Sequence, residues 1–159
     1  MSFNIFISHS TKDYPTASSI DKWLKQIPNV TTFLSEENII TGKLSDRILN
    51  EIKICDVFLV LYSANSHNSQ YVQNEIGAAL GQNKTIIILS LDDTKPEAML
   101  QGYTYYQVYD PQEAEKFFPM LYKYIGQQVE AKANRELLPL ILLISVGLGA
   151  AIYYIASQK

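Results

Sequence analysis

Residues 56–80 decide the fold, and they read DVFLVLYSANSHNSQYVQNEIGAAL. The stretch opens with an uninterrupted apolar run at 57–61, which is typical of a parallel strand that is buried on both faces. The polar residues at 63–69 predict a loop. Ser69 then predicts the N-cap of a helix, because apolar residues recur after it at helical spacing. A buried strand therefore leads through a polar loop into a helix.

Two residues of that helix indicate a candidate site. Tyr71 and Glu75 are four positions apart, so they lie on one face of the helix, near its N-terminal end. In open α/β sheets, ligands bind in the crevice outside the carboxyl ends of the strands. A carboxylate beneath an aromatic ring at that crevice favours action on a sugar or a nucleotide. The alternative for Glu75 is an ordinary solvated helix residue.

Composition excludes several classes of protein. The chain has 159 residues, which is room for one domain with a proper core and a short appendage. The net charge of -3 argues against nucleic acid as a partner. Cys55 is the only cysteine, so no intramolecular disulfide forms, and its place beside an apolar strand predicts a buried, unreactive thiol. The two histidines, His9 and His67, do not indicate a metal site, and His67 is expected to face solvent.

Strands and helices alternate along residues 1–130. Strands are predicted at 3–8, 30–34, 57–61, 84–91 and 103–109, and the last, more polar one is expected at a sheet edge. Helices are predicted at about 13–26, 43–53, 70–80 and 112–129. Asp13 is expected to cap the first helix, and Leu49 is expected to face inward from the second. This order predicts an α/β class with a flavodoxin-like, five-stranded parallel sheet and helices on both faces.

The C-terminal part predicts a membrane anchor. A run without charges begins at Leu137 and ends at Ile155, which is long enough to cross about 30 Å of hydrocarbon. We therefore divide the chain into a domain at 1–130, a charged linker at 131–136, a transmembrane helix at 137–155 and a short tail at 156–159. Basic residues before the run favour a single-pass protein whose N-terminal domain lies in the cytoplasm. A buried core helix is the competing interpretation.

The polar segments resemble the conserved boxes of a known family. The first box reads IFISHS at 5–10, and the box after the third predicted strand reads LYSANS at 61–66. Between them, a loop begins at Glu36, contains Gly42 and ends at Lys43. In this order, and followed by SQYV at 69–72 and by Glu75, these segments resemble the Toll/interleukin receptor (TIR) domain over residues 3–129. The loop corresponds to the one that this family calls BB.

The resemblance implies a catalytic role for Glu75, since the matching glutamate of catalytic TIR domains acts on NAD. Tyr71 stands where those members commonly have tryptophan, which is a departure from the pattern. The resemblance also implies that NAD is a substrate and that no cofactor is needed. The substrate-binding residues it implies are Ser8, His9, Ser10, Tyr71, Ser63 and Gly42. Structural alternatives remain for three of them: a hydrogen-bonded strand end for His9, a backbone turn for Gly42 and a core position for Tyr71.

The family allows more than one function. The first expectation is an NAD hydrolase, resembling microbial antiviral or toxin-like effectors, that self-associates through the loop at 36–43 and responds to an activator protein or small signal. Confinement to a membrane would favour that self-association by raising the effective concentration. The alternative is a non-catalytic TIR adaptor that binds other TIR domains at the membrane. A third interpretation is a nucleoside-processing hydrolase or transferase of related architecture.

Overall fold

The computed structural model describes residues 2–35 and 46–157, with side-chain environments up to residue 137. Within these ranges, five strands form one parallel sheet in the order β2-β1-β3-β4-β5. The strands are β1 (Phe3–Ser8), β2 (Val30–Leu34), β3 (Val57–Tyr62), β4 (Thr85–Ser90) and β5 (Tyr105–Gln107). The predicted five-stranded parallel sheet is confirmed, and β5 lies at an edge as expected, although it is shorter than predicted.

Helices connect the strands and cover both faces of the sheet. They are α1 (Tyr14–Leu24), α2 (Asp46–Ile54), α3 (Ala64–His67), α4 (Gln70–Gly81) and α5 (Pro111–Ser157), with 3-10 helices at Thr11–Asp13 and Ala98–Leu100. One core packs α1 and α5 against one face, and a second core packs α2 and α4 against the other. All six residues of β3 are buried, because this central strand contributes side chains to both cores. The prediction of helices on both faces is therefore confirmed.

The prediction of a simple loop at 63–69 was wrong. Residues Ala64–His67 form the short helix α3. The hydroxyl of Ser63 accepts hydrogen bonds from the backbone N–H groups of Asn65 and Ser66, and the Ser66 hydroxyl accepts one from the backbone N–H of Ser63. These reciprocal hydrogen bonds form a capping box, which stabilises the start of α3. The polar composition of the segment had instead predicted a loop.

The inward orientation predicted for Leu49 was also wrong. Leu49 is 37% exposed, whereas Ile48 and Ile52 are buried. The two isoleucines are four positions apart and share one face of α2, so the next residue along is turned away by about 100°. The face of α2 that packs into the core is therefore narrower than the sequence pattern predicted.

Helix α5 does not end near residue 129 but continues through the predicted linker at 131–136. That segment reads AKANRE, which contains neither glycine nor proline and consists mostly of good helix formers. Among the described residues, no helix is long and apolar enough to span a membrane. The predicted membrane run at 137–155 falls, after its first residue, outside the side chains that the structure describes. The predicted BB loop at 36–43, including Gly42, also lies outside the described residues.

Candidate active site

A row of four serines marks the carboxyl edge of the sheet. Ser8 and Ser90 are the last residues of β1 and β4, and Ser35 and Ser63 directly follow β2 and β3. All four are buried, with exposures of 0% for Ser8, 3% for Ser35, 2% for Ser63 and 1% for Ser90. Because parallel strands end at the same edge, their terminal residues come together there. The partners of these hydroxyls divide the row into two pairs.

The first pair, Ser8 and Ser35, donates to Glu75. Helix α4 carries this glutamate in its middle, as the sixth of its 12 residues, and not near its N-terminal end as expected. The N-cap Ser69 accepts a hydrogen bond from Val72 N at 3.3 Å. The Glu75 side chain is completely buried. Ser8 Oγ donates to Glu75 Oε2 at 2.5 Å, and Ser35 Oγ donates to Oε1. Hydrogen bonds of this kind offset part of the cost of taking a carboxylate out of water.

Three other residues expected at the substrate, Tyr71, His9 and Ser10, are buried. Tyr71, one turn before Glu75 on α4, is 5% exposed and belongs to the core beneath α2 and α4. His9 is also 5% exposed, and its ring centroid is 6.0 Å from that of Tyr14. Ser10 is buried and caps the first 3-10 helix, since its hydroxyl accepts from Lys12 N. Of the residues expected at the substrate, Ser8 contacts Glu75 directly through its hydroxyl, and Tyr71 lies one turn before Glu75 on the same helix.

The second pair of serines organises loops instead. Ser63 Oγ donates to Asp13 Oδ2 at 2.6 Å, and Asn65 Nδ2 donates to Asp13 Oδ1 at 2.8 Å. Together with its capping bonds to α3, Ser63 thus has three partners within the protein. Asp13 occupies the N-cap position of α1 but makes no side-chain capping bond there, so the expected cap was wrong. Its carboxylate instead joins the start of α1 to the start of α3.

Ser90 completes this second pair. Its hydroxyl donates to the backbone oxygen of Asp92 at 2.8 Å. The Asp92 carboxylate accepts hydrogen bonds from Ala64 N and Thr94 N, each at 2.9 Å. Burial acts to raise the pKa of Asp92, but these hydrogen bonds hold it below its ordinary value. The hydrogen bonds of Asp92 therefore connect the segment after β3 to the loop after β4.

His67 does not face solvent freely, contrary to expectation. Its Nδ1 lies 2.8 Å from the hydroxyl oxygen of Tyr62, the last residue of β3. Tyr62 is 1% exposed, and this burial raises the pKa of its phenol above the usual value. The pair ties the C-terminal end of α3 to the central strand.

Three other features of the described residues bear on function: possible metal ligands, the Cys55 thiol and a cavity. In residues 2–35 and 46–137, no group of three metal-ligating side chains could hold a metal ion. The buried thiol of Cys55 confirms the sequence prediction, and burial raises its pKa to about 11. A cavity of about 550 Å³ lies between α1 and α5, lined mainly by apolar side chains such as Trp23 and Phe118. None of the four edge serines lines that cavity.

Sequence reasoning missed Ser35. The signal was present, because Ser35 directly follows the predicted strand at 30–34, as Ser8 ends the strand before it. The rule that ligands bind at the carboxyl ends of parallel strands applies equally to both positions. What the sequence could not show is that one glutamate, 40 positions further on than Ser35, accepts from both hydroxyls.

Comparison with known proteins identifies the family. The model of the TIR domain matches residues 5–121, and this chain belongs to the TIR domain family. No curated protein gives a significant sequence match.

Two solved structures show the same fold. One is the TIR domain of the Toll-related receptor TRR-2 from Hydra magnipapillata, with 16% identity and a TM-score of 0.63. That match covers 76% of this chain and 96% of the Hydra chain. The other is a TIR domain of the activated Roq1 resistosome, which recognises the pathogen effector XopQ, with 16% identity, a TM-score of 0.50 and 60% of each chain covered. At this identity the likeness concerns the fold alone.

Proposed function

We propose that this protein is an NAD hydrolase that cleaves the bond between nicotinamide and ribose, with Glu75 as its catalytic carboxylate. The observation that carries the proposal is the placement of Glu75. A completely buried carboxylate sits at the carboxyl edge of a parallel sheet, where ligands of such folds bind, and accepts hydrogen bonds from two serine hydroxyls. Ribose presents hydroxyl groups of the same chemical type.

The chemistry requires only one carboxylate. Most glycosidases use two, because a poor leaving group has to be protonated. The nicotinamide of oxidised NAD carries a positive charge and departs as a neutral molecule, so it needs no general acid. When the bond breaks, positive charge develops on the ribose, and Glu75 stabilises it through its negative charge and through hydrogen bonds to ribose hydroxyls. Water then adds at the same ribose carbon and releases a proton, which yields ADP-ribose.

The surrounding residues supply binding and orientation. Ser8 holds one oxygen of Glu75 from the central part of the sheet. Tyr71 supplies an aromatic side chain one helical turn away. In this proposal, His9 and Ser10 contact the ribose or the phosphates, since both follow β1 at the same edge, and the loop at 36–43 with Gly42 completes the site.

Activity is proposed to depend on self-association at a membrane. The run at 137–155 would anchor the chain as a single-pass protein with the TIR domain in the cytoplasm. Anchoring raises the effective concentration of neighbouring domains, so weak contacts through the loop at 36–43 become productive. An upstream activator protein or small signal would start the clustering. This organisation suits an effector of microbial antiviral defence or a toxin-like protein, whose output is the loss of NAD.

A second candidate function is a non-catalytic TIR adaptor that recruits other TIR domains. The full burial of Glu75 favours it, because a carboxylate closed off by two serines can also serve as a structural anchor between α4 and the sheet. In an adaptor the carboxylate would join β1 and β2 to the helix and never meet a substrate. The two functions therefore differ in a single measurable property.

That property is nicotinamide release from NAD. The full-length protein is incorporated into lipid vesicles at increasing surface density, beside a Glu75→Gln variant that removes the charge but nearly preserves the shape. Glu115→Gln is the matched control, because it makes the same change at an exposed position on α5. We expect release by the parent and the control that rises with density, and none above background by Glu75→Gln.

Each outcome assigns a function. Equal release by all three proteins keeps the hydrolase but removes Glu75 from the chemistry. No release from any of them, together with self-association of the parent, favours the adaptor. Release that does not depend on density or on the membrane contradicts the clustering mechanism.

A further inference from the structure

We propose that the hydroxyl of Ser35 occupies the position on Glu75 that a ribose hydroxyl of the substrate takes, so that Ser35 governs affinity while Ser8 governs orientation. This inference rests on the proposed NAD hydrolase function. It assigns different roles to two serines that make the same type of hydrogen bond to one carboxylate.

The first step is the enclosure of the carboxylate by the protein. Glu75 Oε2 accepts from Ser8, Oε1 accepts from Ser35, and the side chain has no exposed surface. A ribose hydroxyl that bonds to Glu75 therefore needs space that a protein atom now fills. Substrate binding is an exchange of donors rather than an addition.

The second step identifies which serine gives way. Ser8 is the last residue of β1, an interior strand that pairs with β2 on one side and β3 on the other, and its register partner is Val60. Its backbone is therefore held within the sheet, and its hydroxyl is aimed from a fixed position.

Ser35 is held less firmly. It follows β2, which is an edge strand, and it lies one residue beyond the last paired position, Ile7 with Leu34. Within residues 2–35 and 46–157, one backbone hydrogen bond, from Ser35 N to Ile7 O at 3.0 Å, positions its main chain. Rotation about a single side-chain bond releases either serine hydroxyl from Glu75. At Ser35 the main chain can adjust to the new rotamer, because it lies past the last paired position of an edge strand, whereas the Ser8 main chain is paired within the sheet. Ser35 is therefore the partner that a substrate displaces.

The third step is the chemical match between the leaving and the arriving donor. A serine hydroxyl and a ribose hydroxyl are both neutral O–H donors of similar strength. The exchange keeps the number of hydrogen bonds to Glu75 constant, so the carboxylate is never left unsatisfied during binding. The arrangement selects ribosides that present a free hydroxyl to Glu75, and it disfavours a deoxyribose that lacks that hydroxyl, because the displaced bond would not be replaced.

The test is the separate measurement of KM and kcat for NAD by the full-length protein on vesicles. In Ser35→Ala, substrate no longer displaces an internal donor, so we expect KM to fall about tenfold while kcat changes less than about twofold. In Ser8→Ala, Glu75 loses the bond that orients it in both states, so we expect kcat to fall at least about tenfold with KM nearly unchanged. Ser19→Ala, at an exposed position on α1, is the matched control.

NAD binding by calorimetry provides a readout that does not depend on turnover. Ser35→Ala should bind NAD more tightly than the parent, and Ser35→Cys, which keeps a side chain of similar size but a weak donor, should shift affinity in the same direction. A lower kcat or a raised KM in both Ser35 variants overturns the inference and makes Ser35 a second orienting residue. If the parent hydrolyses NAD and Glu75→Gln does not, such a result leaves the hydrolase intact. No NAD binding or hydrolysis by any variant instead overturns the proposed function, and this inference with it.

Discussion

The two halves of the carboxyl edge use the same residue type for different purposes. On the β1 and β2 side, Ser8 and Ser35 donate to the side chain of Glu75. On the β3 and β4 side, Ser63 donates to Asp13 and Ser90 donates to the main chain at Asp92, which connects the loops. All four serines are buried to a similar degree. Burial alone therefore does not distinguish a site from a scaffold.

The distinction lies in what each hydroxyl is bonded to. The hydroxyls of Ser63 and Ser90 take part in caps and turns whose loss would leave main-chain groups without partners. The hydroxyls of Ser8 and Ser35 bond to Glu75, which can accept equally well from a sugar, whereas the Asp13 carboxylate that accepts from Ser63 also accepts from Asn65 and joins α1 to α3. In the proposed hydrolase, the first half of the edge would therefore exchange partners with a substrate, and the second half would keep the loops in place.

The largest effect expected from this comparison concerns catalysis. Glu75→Gln should lower kcat/KM for NAD at least about 100-fold, because the charge that stabilises the ribose cation is lost. Asp13→Asn removes a carboxylate from the other half of the edge and should change kcat/KM less than about threefold. Steady-state nicotinamide release by folded protein, verified by circular dichroism, measures both. Losses of equal size in the two variants would remove the functional division between the halves.

The next effect concerns stability. Ser63→Ala removes the N-cap of α3 and a hydrogen bond to Asp13, so the free energy of unfolding should fall by about 2 kcal/mol. Urea denaturation of the detergent-solubilised protein, compared with Ser19→Ala, gives this value. In the full-length protein, KM for NAD should stay unchanged. A KM that rises severalfold would show that Ser63 contacts the substrate after all.

A smaller effect follows from the Tyr62 phenol. Tyr62→Phe loses the hydrogen bond to His67 and should lower the free energy of unfolding by about 1 kcal/mol at neutral pH. Since burial raises the pKa of Tyr62, its neutral form is favoured in the folded state. The neutral phenol therefore contributes to the free energy of unfolding. This contribution is complete below the ordinary phenol pKa of about 10, and it is lost as the pH rises through the raised pKa of Tyr62 in the folded protein.

The parent should therefore lose more stability than Tyr62→Phe above pH 10. Denaturation midpoints recorded between pH 8 and pH 11 test this difference. Parallel curves for the two proteins across that range would contradict the burial effect on the phenol.

The last effect concerns a residue away from both halves, at the amino end of β3. Burial raises the pKa of Cys55 to about 11, so at pH 8 almost no thiolate is present in the folded protein. A thiol reagent should modify the native chain at least about tenfold more slowly than the urea-unfolded chain. Rapid modification of the native protein would mean that this end of the sheet opens readily.

Much of the fold could be predicted from the hydrophobic pattern and the capping residues of the sequence. The apolar run after Asp56 is buried at every position of β3, as an uninterrupted run predicts for a central parallel strand. Ser69 caps α4 where the helical spacing begins. Both features are local, and local chemistry therefore determines them.

The sequence predictions were wrong where contacts between distant parts of the chain determine the environment of a side chain. Asp13 has the composition of a cap, but its carboxylate bonds to Ser63 and Asn65, which are about 50 positions away in sequence. Leu49 has the hydrophobicity of a core residue, but the face of α2 that packs into the core carries Ile48 and Ile52 and leaves Leu49 exposed. Neither outcome is encoded within a short window of the chain.

The sequence by itself determined the class of the sheet, the order of its elements and the position of Glu75 on α4, because periodicity and capping act over a few residues. Only the tertiary structure decided that Ser8 and Ser35 meet on that one carboxylate. The physical reason is that parallel strands far apart in sequence end at a common edge, and packing of α4 against the sheet sets which side chains lie within hydrogen-bonding distance there.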